Sequence, residues 1–483
     1  MGQFLTKDSF TPEDHDEFRK RLEQQVDDLK SFVSQPNFSS GNASIGAELE
    51  LYIIDNDLQP APKNAALIEM MNHPLLTEEL NQFNLEFNLS PVDAAGSPFS
   101  KMTDELSPVM QSLQEKASTL GCKIASIGIL PTLNSNHLHR DFMTDQPRYR
   151  ALTNELSALK GEPFLVDING IDSVKMRSNE VTLEGANTSF QVHLKAPADR
   201  FAHLYNAAQL TTPIVLALAG NSPTFLGQRL WHETRIALFK QSIDNRIPAL
   251  TKWRQPARVS FGHGWVRDGA WELFAENVAL YSPLMPYVSE DNKPFAELNL
   301  HHGTIWSWNR AVFEPKHGGH LRIEYRALPA GPTTIDMMAN AAFAIGLTQS
   351  LSYQTDDLCA KLPFQYAEYN FYRSAKEGLN TNILWPMQKQ HGLRESAISD
   401  VAASLLNSAS DGLAEIGVDS SEINKLMSVI EQRISNGQTG SKWQLARLEH
   451  YHKKYDDVQA MRSMLTDYME HSQLGDEVST WQL

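Results

Sequence analysis

Five segments of the chain alternate apolar and polar residues with a period of two, the pattern of a strand with one packed face. Across residues 44–54, Ile45, Ala47, Leu49, Leu51 and Ile53 point one way, and Gly46, Glu48, Glu50 and Tyr52 the other. Residues 85–89 set Glu86 and Asn88 opposite Leu85, Phe87 and Leu89. Residues 190–195 set Gln191, His193 and Lys195 opposite Phe190, Val192 and Leu194. The same alternation predicts strands over 296–301, with Glu297, Asn299 and His301 on the polar face, and over 321–327, with Arg322, Glu324 and Arg326 there. Helical spacing follows a different rhythm. Thr11-Pro12-Glu13 reads as an N-cap with proline in the first turn, and Phe18, Leu22, Val26, Leu29 and Val33 then recur at helix period. Further helices are predicted over 101–120, 199–219, 231–245 and 334–353. Beyond about residue 362 strand signals fade, and 405–416, 421–434 and 455–468 read as amphipathic helices. The expected organisation is a mixed α+β region, residues 1–360, followed by a helical region, residues 361–483.

An antiparallel sheet with one dry and one wet face would account for the alternation alone. The choice of polar residue changes the picture. Wet strand faces favour Thr, Ser and Lys, whereas Glu and Asn suit strands poorly. Glu48 and Glu50 share a face about 7 Å apart at ~3.3 Å per residue, and Glu86, Glu297 and Glu324 add further mid-strand carboxylates. Carboxylates crowded on one face repel unless cations neutralise them. Mg²⁺ carried with a nucleotide would do so, because it prefers carboxylate oxygens and phosphates. Arg322 and Arg326 flank Glu324 and would face those phosphates as guanidinium forks.

Other chemistries lack their signatures. There is no Gly-x-Gly-x-x-Gly after a strand, no Gly-x-Ser-x-Gly and no His-Glu-x-x-His. The GQTGSK stretch at 437–442 lacks the P-loop spacing and a preceding strand. The pairs His137/His139 and His301/His302 are ordinary coincidences in a chain with 16 histidines, His301 being distinguished only by its strand phase.

Composition narrows the partners. The 483 residues carry 42 Lys and Arg against 58 Asp and Glu, a formal net charge of −16. That balance argues against a nucleic acid or an anionic membrane as partner, since both attract basic surfaces. Two cysteines, Cys122 and Cys359, cannot build a disulfide framework or a thiolate cluster, which implies a reducing compartment. No apolar run approaches the ~20 residues of a membrane helix, and the opening residues lack the features of a signal peptide. The expected location is the cytoplasm.

Taken in order, five segments resemble the glutamate–cysteine ligase/carboxylate–amine ligase family. IGAELEL (Ile45 to Leu51) is similar to its opening Glu-x-Glu strand, NLEFNLSP (Asn84 to Pro91) to its next metal-binding segment, and SFQVHLK to the strand that bears its His. AGNSPTFLGQRLWHETR (Ala219 to Arg235) resembles its Asn-Ser-Pro stretch and downstream Arg, and RIEYRALPAGPTTID (Arg322 to Asp336) its Glu-x-Arg signature. The resemblance implies a glutamine-synthetase-like α+β fold: a curved, mainly antiparallel sheet with helices outside. It implies Mg²⁺ ligands at Glu48, Glu50, Glu86 and Glu324. His193 is the further metal ligand expected, although Gln191 competes for that position. Arg326 is the expected catalytic contact to ATP phosphates, with Arg235, Arg322 and Gln191 as ATP or substrate contacts. Glu79 stands near the place of another acidic ligand, and Tyr149 and Trp306 are pocket candidates. The activity implied is ATP- and Mg²⁺-dependent joining of a carboxylate to an amine, with glutamate and cysteine as the expected substrates. A ligase using another amine, or a nucleotide-binding homologue without turnover, are the alternatives. The sequence does not specify the oligomeric state.

Overall fold

The computed structural model describes every residue except 1–4, 6, 37, 247–254, 290–292, 317 and 387–391. Most of the opening residues read above for a targeting signal therefore lie outside the described residues. At its centre is a seven-stranded antiparallel sheet, built from β1 (Ser44–Asp55), β2 (Leu76–Glu78), β3 (Asn84–Asp93), β4 (Cys122–Ala125), β5 (Phe190–Ala196), β6 (Asn309–Glu314) and β7 (His320–Tyr325). The strand order is β6-β7-β5-β1-β3-β2, with β4 pairing the far end of β1. The period-two pattern is realised in four of the five segments. Ile45, Ala47, Leu49, Leu51, Phe87, Val192, Leu194 and Ile323 are buried in the main core.

Helices close the apolar face. Pro98–Thr119 packs on β3, while Phe201–Ala219 packs on β6 and β7. Phe201–Ala219 and Thr334–Leu351 are buried nearly all round, so their faces are not amphipathic. The second of these crosses Ile398–Glu415 at a glycine pair. A Cβ on Gly346 would lie 2.3 Å from Ala409 O, and one on Gly412 would lie 2.0 Å from Gly346 O. Only glycine permits that approach. Pro12–Val33 opens as its sequence predicts: Thr11 Oγ1 accepts from Asp14 N at 3.3 Å and Asp14 Oδ2 from Thr11 N at 2.9 Å.

Residues 296–301 depart from expectation. They form the helix Ala296–His302 rather than a strand, which removes Glu297 and His301 from the sheet face. A six-residue alternation is short enough to satisfy either period. Burial follows the helix instead, because α-helical neighbours satisfy the polar groups. Glu297 Oε2 accepts from Gln25 Nε2 at 2.6 Å, and His301 Nε2 lies 3.1 Å from Asn277 O. The chain after residue 362 also holds a small hairpin, Asn382–Trp385 with Arg394–Ala397, amid the predicted helices Ile398–Glu415, Ser420–Asn436 and Asp457–Leu474. GQTGSK follows a helix and caps another, with Thr439 Oγ1 accepting from Lys442 N at 3.2 Å.

The C-terminal helices grip the centre of the molecule through buried polar contacts. Arg433 donates to Asp336 Oδ1 at 2.7 Å, to Asn340 Oδ1 at 2.6 Å and to Leu218 O at 3.1 Å. Asn221 donates to Tyr468 Oη and accepts from Gln444 Nε2, both at 2.8 Å. Among the described residues no helix is long and apolar enough to cross a membrane.

Candidate active site

Strand register assembles the polar face. Glu50 stands opposite Glu86 across β1 and β3, and Glu48 lies between Asn88 on one side and Gln191 on the other. Glu324 on β7 faces His193 on β5 and Arg310 on β6. The result is two groups of ligand atoms, each within 4.8 Å of one another: Glu48, His193 and Glu324, and Glu50, Glu79 and Glu86. Every metal-ligand residue expected from sequence falls into one of them. Glu79, at the turn after β2, completes the second.

The two groups differ in electrostatics. In the second, three carboxylates share one low-dielectric spot. Burial and the charge of Glu86 raise the Glu50 carboxyl to about 7, although Arg235, Ser189 and Arg326 oppose the shift. Burial, together with Glu86 and Glu50, lifts Glu79 well above the usual carboxylate range, and burial with Glu48 raises Glu86. In the first group burial also favours the neutral acid, but neighbouring groups outweigh it. His193 brings Glu48 down to about 2, and Arg310, Arg326 and His193 hold Glu324 well below its ordinary value.

These donor sets fit a divalent cation. Three half-buried carboxylates with raised proton affinity are relieved by a hard metal ion, and oxygen donors are what Mg²⁺ selects. In the first group His193 Nδ1 accepts from Arg322 Nε at 3.0 Å, while Nε2 sits 3.4 Å from Glu48 Oε1 with no hydrogen-bond partner. The imidazole edge is thus turned towards the carboxylates and held there by the arginine behind it.

The arginines divide into distinct positions. Arg326 Nη1 donates to Glu324 Oε1 at 2.9 Å and to Gln191 Oε1, and Gln191 Nε2 donates to Glu50 Oε1 at 2.8 Å. Gln191 therefore connects the two groups instead of standing among either set of ligand atoms. Arg310, which sequence reading passed over, makes a forked contact with Glu324, Nη2 lying 3.0 Å from Oε1. Its signal was present in the alternation of NRAVFE, paired in register with β7. Arg322 is turned to His193 and His320. Arg235 donates to the fully buried Glu233 at 3.2 Å and to Ala327 O at 3.1 Å, leaving Nε without a partner.

A small cleft opens beside the second group, lined by Glu50, Glu184, Asn187, Ser189, Arg235, Phe239, Trp308 and Arg326. Trp306 packs edge-on against Phe239, which also meets Trp308 edge-on. Tyr149 lies near Glu79, and burial followed by that carboxylate's charge raises its hydroxyl well above the ordinary range. Glu184 was not foreseen. It sits in the 3₁₀ turn Val181–Ala186, where no periodicity marks it.

Known proteins resemble this chain in sequence and in fold. The model of glutamate–cysteine ligase family 2 matches residues 44–463. The "Putative glutamate–cysteine ligase 2" of Trichormus variabilis is 22% identical over 389 residues, spanning 78% of this chain and 82% of that protein. The crystal structure of the Francisella tularensis glutamate–cysteine ligase in complex with AMP superposes with a TM-score of 0.54 at 12% identity, covering 93% of this chain and 97% of that one. That likeness shows the fold, an α+β class built on a mainly antiparallel sheet, as the family resemblance implied. With a family match that runs from the first strand of the sheet into the last C-terminal helix, the chain belongs to glutamate–cysteine ligase family 2, and it is an ATP-dependent amide-forming ligase.

Proposed function

We propose that the protein joins the γ-carboxylate of glutamate to the amine of cysteine, at the expense of ATP and with Mg²⁺, through a γ-glutamyl phosphate. The observation that carries the reading is the pair of ligand groups on one sheet face with Arg326 and Gln191 between them. Glu50, Glu79 and Glu86 would hold one Mg²⁺, and Glu48, His193 and Glu324 another. Bound there, Mg²⁺ would neutralise phosphate charge and favour departure of ADP.

The chain's own side chains supply the rest. The guanidinium of Arg326 is fixed by Glu324 and Gln191, so it meets a transferring phosphoryl group without reorganising. Arg235, anchored on Glu233, lines the cleft, where its charge favours an anionic part of a substrate. Phe239 and Trp308 form an apolar wall that keeps water from a reactive mixed anhydride. We assign this chemistry to residues 1–360, with 361–483 as a helical region that braces it through Arg433 and Tyr468. The two cysteines, both free, support action in the cytoplasm.

Trapping tests the reading. With Mg²⁺, ATP and glutamate, added hydroxylamine should give γ-glutamyl hydroxamate, and cysteine should give γ-glutamylcysteine with one phosphate released per amide. Phosphate release that never tracks amide or hydroxamate across a panel of carboxylates and amines would refute it. Hydroxamate from glutamate without any product from cysteine would keep the reaction and assign a different amine.

A further inference from the structure

Glu184 lines the cleft but belongs to neither group of ligand atoms. Its backbone is tightly held. Asn187 Nδ2 donates to Glu184 O at 2.8 Å and to Leu183 O at 3.3 Å, and Asn81 Nδ2 donates to Thr182 O at 3.0 Å. A Cβ on Gly185 would lie 2.4 Å from Asn81 Nδ2, so the turn has no room to shift towards that side. The Glu184 carboxylate, by contrast, accepts no hydrogen bond and forms no ion pair among the described residues. The guanidinium groups that line the cleft with it are already engaged, Arg326 by Glu324 and Gln191 and Arg235 by Glu233.

A half-buried carboxylate held on a fixed turn without a directly paired cation is costly unless a ligand supplies the positive charge. Burial accordingly raises its carboxyl, against the opposing charges of Arg326 and Arg148. Beside Glu50, which belongs to a ligand group, the cleft therefore has two poles: arginines for carboxylate or phosphate, and the Glu184 carboxylate for a cation. We propose that Glu184 receives the primary ammonium of an amino-acid substrate. The inference rests on the ligase reading and deepens it, by requiring a zwitterionic amino acid instead of a simple carboxylic acid or a neutral amine. The ammonium could belong to the acid substrate or to the acceptor, and the test separates the two.

The experiment uses the full-length protein with Glu184→Gln, which keeps the shape and drops the charge, and Glu184→Asp, which keeps the charge. Hydroxamate formation from glutamate and hydroxylamine is measured with glutarate as competitor, because glutarate lacks the ammonium and hydroxylamine is uncharged near neutral pH. If the acid's ammonium is bound, Glu184→Gln should raise the KM for glutamate about tenfold or more, as loss of a charged hydrogen bond does, with little change in the inhibition constant of glutarate. If the acceptor's ammonium is bound, that assay should be undisturbed while the KM for cysteine rises by a similar factor. Glu184→Asp should recover part of either effect. Equal losses with charged and uncharged substrates, or no loss with any, would overturn the proposal alone. Absence of hydroxamate from every carboxylate with the parent protein would sink the ligase reading and this proposal with it.

Discussion

Gln191 hands one hydrogen bond to Glu50 and takes another from Arg326: its Nε2 lies 2.8 Å from Glu50 Oε1 while its Oε1 accepts from the guanidinium. A primary amide carries a strong donor and a strong acceptor on one uncharged planar group. A carboxylate there would add a further negative charge to the crowded face, and an imidazole would reach less far. Gln191→Met should therefore leave Glu50 Oε1 without its donor and Arg326 without one of its anchors. The expected result is a loss of about 1–2 kcal/mol in stability, read by urea unfolding, with a larger fall in kcat than in the affinity for ATP. Unchanged kcat would mean that Arg326 needs no such anchor.

Crowding of Glu50, Glu79 and Glu86 makes stability depend on pH when no divalent cation is present. Their carboxyls are raised in the folded state, Glu50 from 4.5 to about 7. A raised carboxyl stabilises the fold fully below its unfolded value, and that contribution is lost as pH rises through the folded one. Glu48 and Glu324 are lowered, so their contribution is lost only as pH falls well below 4.5. The cation-free protein should thus lose several degrees of Tm between about pH 5 and pH 7.5. Glu50→Gln should flatten the profile and raise the Tm at the upper end while impairing Mg·ATP binding. Added Mg²⁺ should restore the parent's Tm. A profile that climbs over this interval would contradict the assignment of these shifts.

Arg326→Lys separates a phosphate contact from a surface residue. Two anions, Glu324 and a transferring phosphoryl group, require a planar fork, and an ammonium is a single point charge. Turnover should fall on the order of a hundredfold with the fold intact by circular dichroism. A variant that works like its parent would remove Arg326 from the reaction.

Arg433 tests how the C-terminal helices hold the centre. Both it and Asp336 are fully buried, and Val478 N also donates to that carboxylate at 3.1 Å. Arg433→Leu leaves an anion in the interior without its cation, which should cost about 3–5 kcal/mol. Double replacement with Asp336→Leu should recover much of that loss. Thermal unfolding of the single and double variants measures both.

Much of this architecture could be read from alternation. The phase of β1, β3, β5 and β7, carried one residue beyond Tyr325, alone puts Glu48, Glu50, Glu86, Gln191, His193, Glu324 and Arg326 on one face. A strand's side chains have only two directions, so phase suffices. The same rule misread Ala296–His302, where polar residues are buried because Gln25, Arg21 and Asn277 satisfy them. Which strands neighbour one another is a long-range property, so the separation of the array into two groups was not legible. Glu79 and Glu184 lie on turns, where position depends on the elements at either end, and only family likeness drew attention to the first.

The pairing of Glu50 with Glu86 and of Glu324 with His193 has a consequence for how such a protein can change. Insertion or deletion of one residue within β1 or β7 would send its Glu into the packed face and a Leu or Ile into the polar one. Core and chemistry would fail together. Length variation is consequently confined to the connections, among them the turn Val181–Ala186 that delivers Glu184 to the cleft. New substrates can therefore be sought by recasting that turn while every strand keeps its length.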